Sequence, residues 1–313
     1  MAYSFHTGWG RVLADSIFTS RPSNGRKFIV MASSNPNWDR FNAMLPGHPE
    51  GDAISVHATI TAAVGAATNN GDDAIYVAAH HSETITAAAG LVINKSGLKI
   101  IGLGDKDNRP RIDFDTAAEA DINVDAGEVT FENIKFNLVS IDALTGPLDV
   151  NALNTTFKDC EFVTANATNQ AVLAIVTDAN AGGLKIDNCY FKGTKNAGTI
   201  SAVRIVGGKD HFIKNSTFEG AYKAATGAIS VTTTAASVVV ENCNIRNLTA
   251  ASTAAIDVLR DSSLVVVGCV LGILSGSNPI RLNEGTEYLG QGTILTGRNY
   301  YRNASTVAAG TLL

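Results

Sequence analysis

The chain has 313 residues, of which 45% are hydrophobic and 17% charged, and its formal net charge is −5. An acidic chain of this kind is not typical of nucleic-acid-binding proteins, and no apolar run is as long as a membrane-spanning helix requires. We therefore expect neither nucleic acid nor a membrane as a partner. The length allows one large continuous core without a second domain.

Residues 1–51 differ in composition from the rest of the chain. They contain both tryptophans, all three methionines and four of the seven prolines, and they show no regular period. We predict an extended N-terminal arm, because aromatic and arginine side chains are enriched on partner-binding surfaces. The alternative is that the arm folds back and its aromatic rings cover apolar surface; the composition fits both. The predicted partner-binding residues are Trp9, Arg11, Phe18, Phe28, Trp38 and Phe41.

A short capping helix is predicted over residues 52–70. Asp52 or Ser55 could serve as its N-cap, and Asn70 with Gly71 could end it. A helix at this place would cover the exposed end of the strands that follow. The apolar residues with helical spacing are Val56, Ile60, Ala63, Val64 and Ala67.

A five-residue motif recurs six times between residues 132 and 271. Successive copies lie 26 to 29 residues apart, which is typical of a solenoid. Apolar residues at every second position before and after the motif indicate two short strands joined at a corner. The pattern predicts an all-β parallel β-helix over residues 71–275, with about 27 residues per coil and seven to eight turns. The copies are ENIKF at 132–136, KDCEF at 158–162, DNCYF at 187–191, KNSTF at 214–218, ENCNI at 241–245 and VGCVL at 267–271.

The second position of the motif is predicted to form the corner. It is asparagine in four copies, at Asn133, Asn188, Asn215 and Asn242. Asparagine tolerates a left-handed backbone conformation, and side-chain amides on successive coils can bond to one another. We therefore predict a structural ladder of asparagines along one edge of the solenoid.

The third position holds all four cysteines, which are Cys160, Cys189, Cys243 and Cys269. We predict that they point inward as small apolar side chains of the same ladder. Disulfides between Cys160 and Cys189 and between Cys243 and Cys269 are the alternative, although like positions that face one interior seldom meet disulfide torsions. No CxxC or Cys/His cluster is present, so we predict no metal and no cofactor. Reduced cysteines without a secretion signal indicate assembly in a cytoplasm.

The last 38 residues, 276–313, lose the period. They contain Tyr288, Tyr300 and Tyr301. We predict that this segment is a C-terminal cap or tail, which covers the far end of the coils or packs on a neighbouring molecule.

A third strand in each coil can be aligned as LAI at 173–175, VRI at 203–205, ISV at 229–231 and IDV at 256–258. Its outward column would hold Ala174, Arg204, Ser230 and Asp257, with Arg204 and Asp257 about 9–10 Å apart. A glycoside hydrolase needs two carboxylates at a controlled separation, and neither Asp257 nor Asp261 has such a partner on an adjacent rung. We predict no catalytic residues, and Arg204, Asp257 and Asp261 are the ones to test if catalysis occurs.

The histidines are not predicted to be catalytic. His211 shares the inward column with Val238, which indicates a core residue rather than an acid or base. His80 and His81 are adjacent and would face opposite sides of a strand, so they cannot chelate one ion together.

Two segments resemble the entry of the pectin-lyase-like right-handed β-helix superfamily. They are VHATITAAVGAATNNGDDAIYVAAHHSETI at 56–85 and GLKIIGLGDKDNRPRIDF at 97–114. The resemblance covers about residues 54–275 and implies a single-stranded, right-handed β-helix. More narrowly, His81, Ser82, Glu83 and Thr84 match a run in β-helix proteins encoded among the virion genes of tailed bacteriophages. The same solenoid supports lyases, hydrolases, esterases, adhesins and inert virion parts, so the fold alone does not fix an activity.

The resemblance implies a non-enzymatic phage virion structural protein, a capsid decoration or head-associated protein anchored by its N-terminal arm. The expected partners are the major capsid protein or another virion protein and further copies of the chain, with a trimer as first expectation. The expected location is the virion, assembled in the host cytoplasm. The alternative is a tailspike-like protein that binds or degrades polysaccharide, which would carry carboxylates and aromatic rings along one face. A bacterial surface adhesin is a third alternative and would need an export signal.

Overall fold

The computed structural model describes residues 25–36, 38–39, 54–195, 199–223, 226–232, 236–249, 254–258, 262–273, 280–282, 287–291 and 294–296. These residues form a parallel β-solenoid of about 8 turns with about 27 residues per coil. Its strands stack into three sheets with parallel pairing between coils. The predicted all-β parallel β-helix is confirmed.

Sheet A has eleven strands in the order β2-β1-β3-β6-β9-β12-β15-β18-β21-β24-β27. Their bounds are β1 Lys27–Val30, β2 Ile54–His57, β3 Ala74–Val77, β6 Lys99–Gly102, β9 Thr130–Glu132, β12 Thr156–Lys158, β15 Lys185–Asp187, β18 His211–Lys214, β21 Ser237–Glu241, β24 Ser263–Val267 and β27 Glu287–Gln291.

Sheet B follows the corner of each coil and has nine strands, from β4 at one end to β28 at the other. Their bounds are β4 Ser82–Ile85, β7 Arg111–Phe114, β10 Lys135–Asn137, β13 Glu161–Val163, β16 Tyr190–Lys192, β19 Thr217–Gly220, β22 Asn244–Asn247, β25 Val270–Ile273 and β28 Ile294–Thr296.

Sheet C closes each coil and has eight strands, from β5 to β26. Their bounds are β5 Leu91–Ile93, β8 Ile122–Val124, β11 Leu148–Val150, β14 Leu173–Thr177, β17 Ser201–Ile205, β20 Ile229–Val231, β23 Ile256–Val258 and β26 Ile280–Leu282. Helix α1 spans Ile60–Ala66, and a 3-10 helix spans Lys106–Asn108.

Like side chains stack on like side chains inside the solenoid. Phe136, Phe162, Phe191 and Phe218 occupy the same inward position on successive strands of sheet B. The ring centroids of Phe191 lie 4.4 Å from those of Phe162 and Phe218, with the planes within 6° of parallel. The alternating apolar pattern in the sequence thus becomes a continuous buried column, which provides the main driving force for folding.

The corner between sheets A and B is left-handed in six successive coils. The φ angles of Asn133, Asp159, Asn188, Asn215 and Asn242 lie between 51° and 57°, and that of Gly268 is 62°. Asparagine, aspartate and glycine reach this region at lower cost than other residues. This requirement explains why the second position of the motif is restricted to those three residue types.

Side-chain amides at this corner connect neighbouring coils. Asn188 donates from Nδ2 to Oδ1 of Asp159 over 2.6 Å, and Asn215 donates to Oδ1 of Asp187 over 2.9 Å. Asn133 instead donates to the backbone oxygens of the preceding coil. The expected amide-to-amide ladder is therefore replaced, at these three asparagines, by bonds to carboxylate or backbone acceptors, which take an N–H donor without needing one in return.

The four cysteines are free and buried, as predicted, and neither of the two conceivable disulfides is formed. Each thiol faces the backbone carbonyl two residues earlier and another in the preceding coil. For Cys160 these acceptors are the oxygens of Lys158 and Phe131, 3.3 and 3.5 Å from Sγ. Ser216 uses the same slot and donates to the oxygen of Lys214 over 2.7 Å. In five of the six copies the slot thus holds a small side chain that can also donate a weak hydrogen bond, and in the first copy Ile134 fills it.

Helix α1 begins later than the sequence indicated. Thr59, rather than Asp52 or Ser55, is the N-cap, and its hydroxyl accepts from the backbone N–H of Ala62 over 3.1 Å. Residues 54–57 form strand β2 instead of the first helical turn. The helix buries Ile60, Ala63 and Val64 against the core, which is the capping role that the sequence predicted.

Part of the predicted N-terminal arm belongs to the solenoid. Strand β1 lies between β2 and β3 in sheet A, and Phe28 on it is only 2% exposed. Phe28 is therefore a core residue and not a partner-binding one. Trp38 packs on a second apolar cluster on the outer face of the first coils, which includes Met31 and Tyr76. These residues follow the fold-back alternative; Trp9, Arg11, Phe18 and Phe41 lie outside the described residues.

The solenoid continues beyond residue 275. Strands β26, β27 and β28 add another coil in register with the one before it. Ile280 pairs with Ile256 and Leu295 with Leu271, so this coil is shorter than its predecessors, with 24 residues between paired positions. The shorter coil explains why the sequence period is lost there and why residues 276–296 were assigned to a cap or tail. Residues 297–313 lie outside the described part.

Candidate functional site

The outward face of sheet C carries a column of aligned residues, which we call the sheet C column. The register pairs Asp149 with Val176, Val176 with Arg204, Arg204 with Ser230, and Ser230 with Asp257. Asn123 extends the column at its other end, opposite Asp149. Neighbouring strands are about 4.8 Å apart, so the column from Asp149 to Asp257 is roughly 19 Å long.

Ala174 does not belong to this column. Strand β14 has five residues, and the register places Val176, not Ala174, beside Arg204. The alignment predicted from the sequence was therefore wrong by two residues on this strand. A shift of two residues keeps each side chain on the same face, so the alternation of apolar and polar residues could not reveal it. Ala174 is fully buried and belongs to the core, as do its counterparts Ala202, Ala228 and Ala255.

The three residues selected for testing are not brought together as one catalytic group. Arg204 is half-buried, and Asp257 lies two rungs away in the same column and is only 3% exposed. Between them, the Ser230 side chain is 1% exposed and its buried hydroxyl has no hydrogen-bond partner among the described residues. Asp261 lies outside the described residues.

A group of acidic residues that the sequence analysis did not select lies at the other end of the column. Asp149 is half-buried in β11, Asp121 and Asp125 flank β8, and Asp178 follows β14. Asn151 donates from Nδ2 to Oδ1 of Asp125 over 2.9 Å. Four carboxylates on three successive coils thus share one side of the solenoid.

This crowding changes the acidity of the central carboxyl group. Burial raises the pKa of Asp149, and the negative charge of Asp121 raises it further. A hydrogen bond from Asn151 partly offsets these effects, and Asp178 and Asp125 add smaller increases. General acid catalysis uses a carboxyl group that keeps its proton to higher pH than usual.

The pKa of Asp121 is also raised. Burial raises its pKa, a hydrogen bond from the backbone N–H of Ala89 opposes that rise, and the charge of Asp125 adds to it. The Ala89 nitrogen lies 2.5 Å from Oδ1 of Asp121, which fixes the orientation of this carboxyl group.

The four acids were visible in the sequence as DINVD at 121–125, LDVN at 148–151 and IVTD at 175–178. The alignment of the third strand began at residue 173, so these acids were not among the predicted site residues. The raised pKa values of Asp121 and Asp149 depend on burial, which the sequence does not display.

His211 contributes packing rather than a site. His211 is fully buried, pairs in register with Val238, and its Nε2 lies 2.9 Å from the oxygen of Gly207. Burial lowers its pKa, and the bonds to Gly207 and Gly208 and the charge of Asp210 only partly offset this. The prediction of a core histidine is confirmed.

Glu83 points inward at the first coil and serves the capping helix. Its Oε2 accepts from the backbone N–H of Ile60 over 2.6 Å and lies 3.5 Å from Nε2 of His81. A carboxylate is stabilised at a helix N-terminus. The run of His81, Ser82, Glu83 and Thr84 therefore includes residues that hold the helix on the solenoid.

The described residues contain neither a metal-binding cluster nor a membrane-spanning helix. Within them, no three histidine, cysteine, aspartate or glutamate side chains are grouped so that they could hold a metal ion. The described helices are all too short and too polar to cross a membrane.

Comparison with known proteins gives similarity in fold. No protein-family model matches the chain, and no curated protein matches it. Among solved structures it is similar to a rhamnogalacturonan lyase, with a TM-score of 0.47, 13% identity, and coverage of 81% of this chain and 76% of that one. It is also similar to a pectin methylesterase from Aspergillus niger, with a TM-score of 0.43, 16% identity, and coverage of 92% and 93%. A mannuronan C-5 epimerase A-module from Azotobacter vinelandii is more distant, with a TM-score of 0.33, 11% identity, and coverage of 74% and 84%.

Proposed function

We propose that this protein binds an extended polysaccharide along the sheet C column and cleaves it there, with Asp149 as the general acid. The observation that carries the proposal is the raised pKa of Asp149 on an outward face that it shares with Asp121, Asp125 and Asp178. Glycoside hydrolysis uses one protonated and one ionised carboxyl group.

The spacing of the sheet C column also suits a glycan. Its side chains recur once per coil, at about 4.8 Å, which is similar to the length of one pyranose unit in an extended chain. Asn123, Asp149 and Arg204 would offer amide, carboxyl and guanidinium groups to successive sugar hydroxyls. The glycan would then lie along the solenoid axis, across several coils.

The proposed reaction balances as a hydrolysis. Asp149 donates its proton to the glycosidic oxygen as the bond from that oxygen to the anomeric carbon breaks. A water molecule attacks the anomeric carbon, and its proton passes to a second carboxylate, for which we propose Asp178, exposed on the adjacent coil. The products are two shorter glycans, one with a new reducing end.

The test is a screen for reducing-end release from neutral and acidic polysaccharides, with wild type, Asp149→Asn and Asp107→Asn. Asp107 is exposed on the 3-10 helix, away from sheet C, and so provides a matched charge control. We expect a loss of about 100-fold or more for Asp149→Asn and none for Asp107→Asn. Equal activity of all three proteins, or no glycan bound or cleaved in the screen, would contradict the proposal.

The virion location, the capsid partner and the trimer remain predictions from the sequence resemblance. A tailspike-like protein would combine that resemblance with the proposed glycan site. The proposal therefore favours the alternative function over an inert decoration protein.

A further inference from the structure

The outer face of sheet A changes character along the solenoid. In the first coils its apolar residues, such as Tyr76, are covered by a segment that includes Trp38. In the middle coils it carries alternating charges, with Lys158 Nζ 2.6 Å from Glu132 and Lys214 Nζ 3.2 Å from Asp187. The last coils differ from both, because a row of apolar residues returns there beside the charged ones.

The apolar residues of the last coils form one aligned row, which we call the apolar ladder. Phe212 pairs in register with Val239, and Val239 pairs with Val265. The Phe212 side chain is 42% exposed, and both valines are half-buried. Exposed apolar side chains that form one aligned row are typical of a contact surface rather than of a solvated face. We propose that this surface is the contact between two copies of the chain.

Charge complementarity supports a second copy as the occupant. Lys214 and Glu241 lie beside the apolar ladder, two residues beyond Phe212 and Val239 on the same strands, and they pair with each other in register. A twofold axis parallel to the strands, between β18 and β21, reverses the order of the coils in the partner. It brings Phe212 onto the partner's Val239 and Lys214 onto the partner's Glu241. The patch is thus complementary to the same patch on a second copy, as an isologous contact requires.

The other twofold arrangements fit less well. An axis along β21 would place Glu241 against the partner's Glu241, and like charges repel across an interface. An axis parallel to the solenoid and midway between Phe212 and Lys214 would place Phe212 against the partner's Lys214, which sets an apolar ring against a charged group. Of these three arrangements, the charges beside the apolar ladder favour the first, in which the two solenoids run antiparallel.

The test is the mass of the full chain in solution, measured by light scattering and sedimentation over a range of concentrations. Wild type is expected to form a dimer, and Phe212→Asp is expected to be a monomer. Val270→Asp is the matched control, because Val270 is 39% exposed but lies on sheet B. It should leave the dimer unchanged. A monomeric or trimeric wild type, or equal effects of the two substitutions, would overturn the proposal.

A charge exchange tests the register and does not depend on Phe212. Lys214→Glu should weaken the dimer at least tenfold, because it opposes two glutamates across the contact, and Lys214→Glu with Glu241→Lys should restore it. Far-ultraviolet circular dichroism and the thermal midpoint check that each variant is folded. The proposed register is wrong if Lys214→Glu leaves the dimer as stable as wild type. It is also wrong if the double variant is folded but stays monomeric.

Discussion

Asn215 donates a hydrogen bond from Nδ2 to Oδ1 of Asp187, one coil earlier, over 2.9 Å. The other oxygen of Asp187 lies 3.2 Å from Nζ of Lys214. The same carboxylate thus joins a corner amide and a strand cation of the following coil. Since Asn215 also has a φ of 53°, one residue supplies both the bend of the chain and a link between two coils.

Replacing Asn215 separates these two contributions. Asn215→Leu should lower the free energy of unfolding by about 2–3 kcal/mol, since a left-handed conformation costs about 1–2 kcal/mol for such a residue and the hydrogen bond contributes about 1 kcal/mol. Asn215→Gly keeps the bend and should lower the free energy of unfolding by less than Asn215→Leu does. Urea unfolding followed by circular dichroism measures both. If the leucine variant is as stable as wild type, the corner is not under this constraint.

Removing a ring from the buried phenylalanine column should be more costly. Phe191 stacks on Phe162 and Phe218, both with centroids 4.4 Å away. Phe191→Ala should lower the free energy of unfolding by about 3–5 kcal/mol, because it leaves a cavity between two rings. Lys192→Ala, an exposed change on the same strand, is the control and should cost less than about 0.5 kcal/mol. Equal stability of the two variants would mean that the column relaxes around the gap.

Much of the fold could be predicted because each coil repeats the same physical requirements: inward apolar residues, a left-handed corner and a small side chain after it. Strand β1 could not be, because Lys27 pairs with Ala74, 47 residues later, and carries no copy of the motif. The site was harder to predict. A two-residue shift at Ala174 keeps the alternation intact, and the acidity of Asp149 depends on burial and on charges from other coils.

The buried thiols should resist reagents until the protein unfolds. We expect none of the four cysteines to react with Ellman's reagent in the native state, and all four to react in denaturant. Burial raises the pKa of Cys189, and hydrogen bonding to Cys269 together with burial raises that of Cys243. Rapid labelling of the folded protein at neutral pH would contradict the inward placement.

These raised pKa values also predict a loss of stability in alkali. A thiol whose folded pKa lies above its unfolded value of about 8.5 contributes stability below that pH and loses it as the pH rises toward the folded value. The free energy of unfolding should therefore fall above about pH 8.5. The stability of Cys189→Ser should fall less steeply, because this variant lacks one such thiol and Ser216, in the same slot one coil later, shows that a hydroxyl fits there. Parallel slopes for the two proteins would argue against a thiol that stays protonated in the fold.

His211 should make the solenoid sensitive to acid. Burial lowers the pKa of its ring below the unfolded value of about 6.5. Stability is therefore fully present above that pH and is lost as the pH falls toward the folded value, since the unfolded chain binds the proton more readily. His211→Leu copies Leu184, which occupies the same buried position one coil earlier, and its thermal midpoint should fall less between about pH 7 and pH 5 than that of wild type. His80→Asn is the control, because His80 is exposed and asparagine tolerates its φ of 59°. If this control removes the acid sensitivity and His211→Leu does not, the proton binds elsewhere.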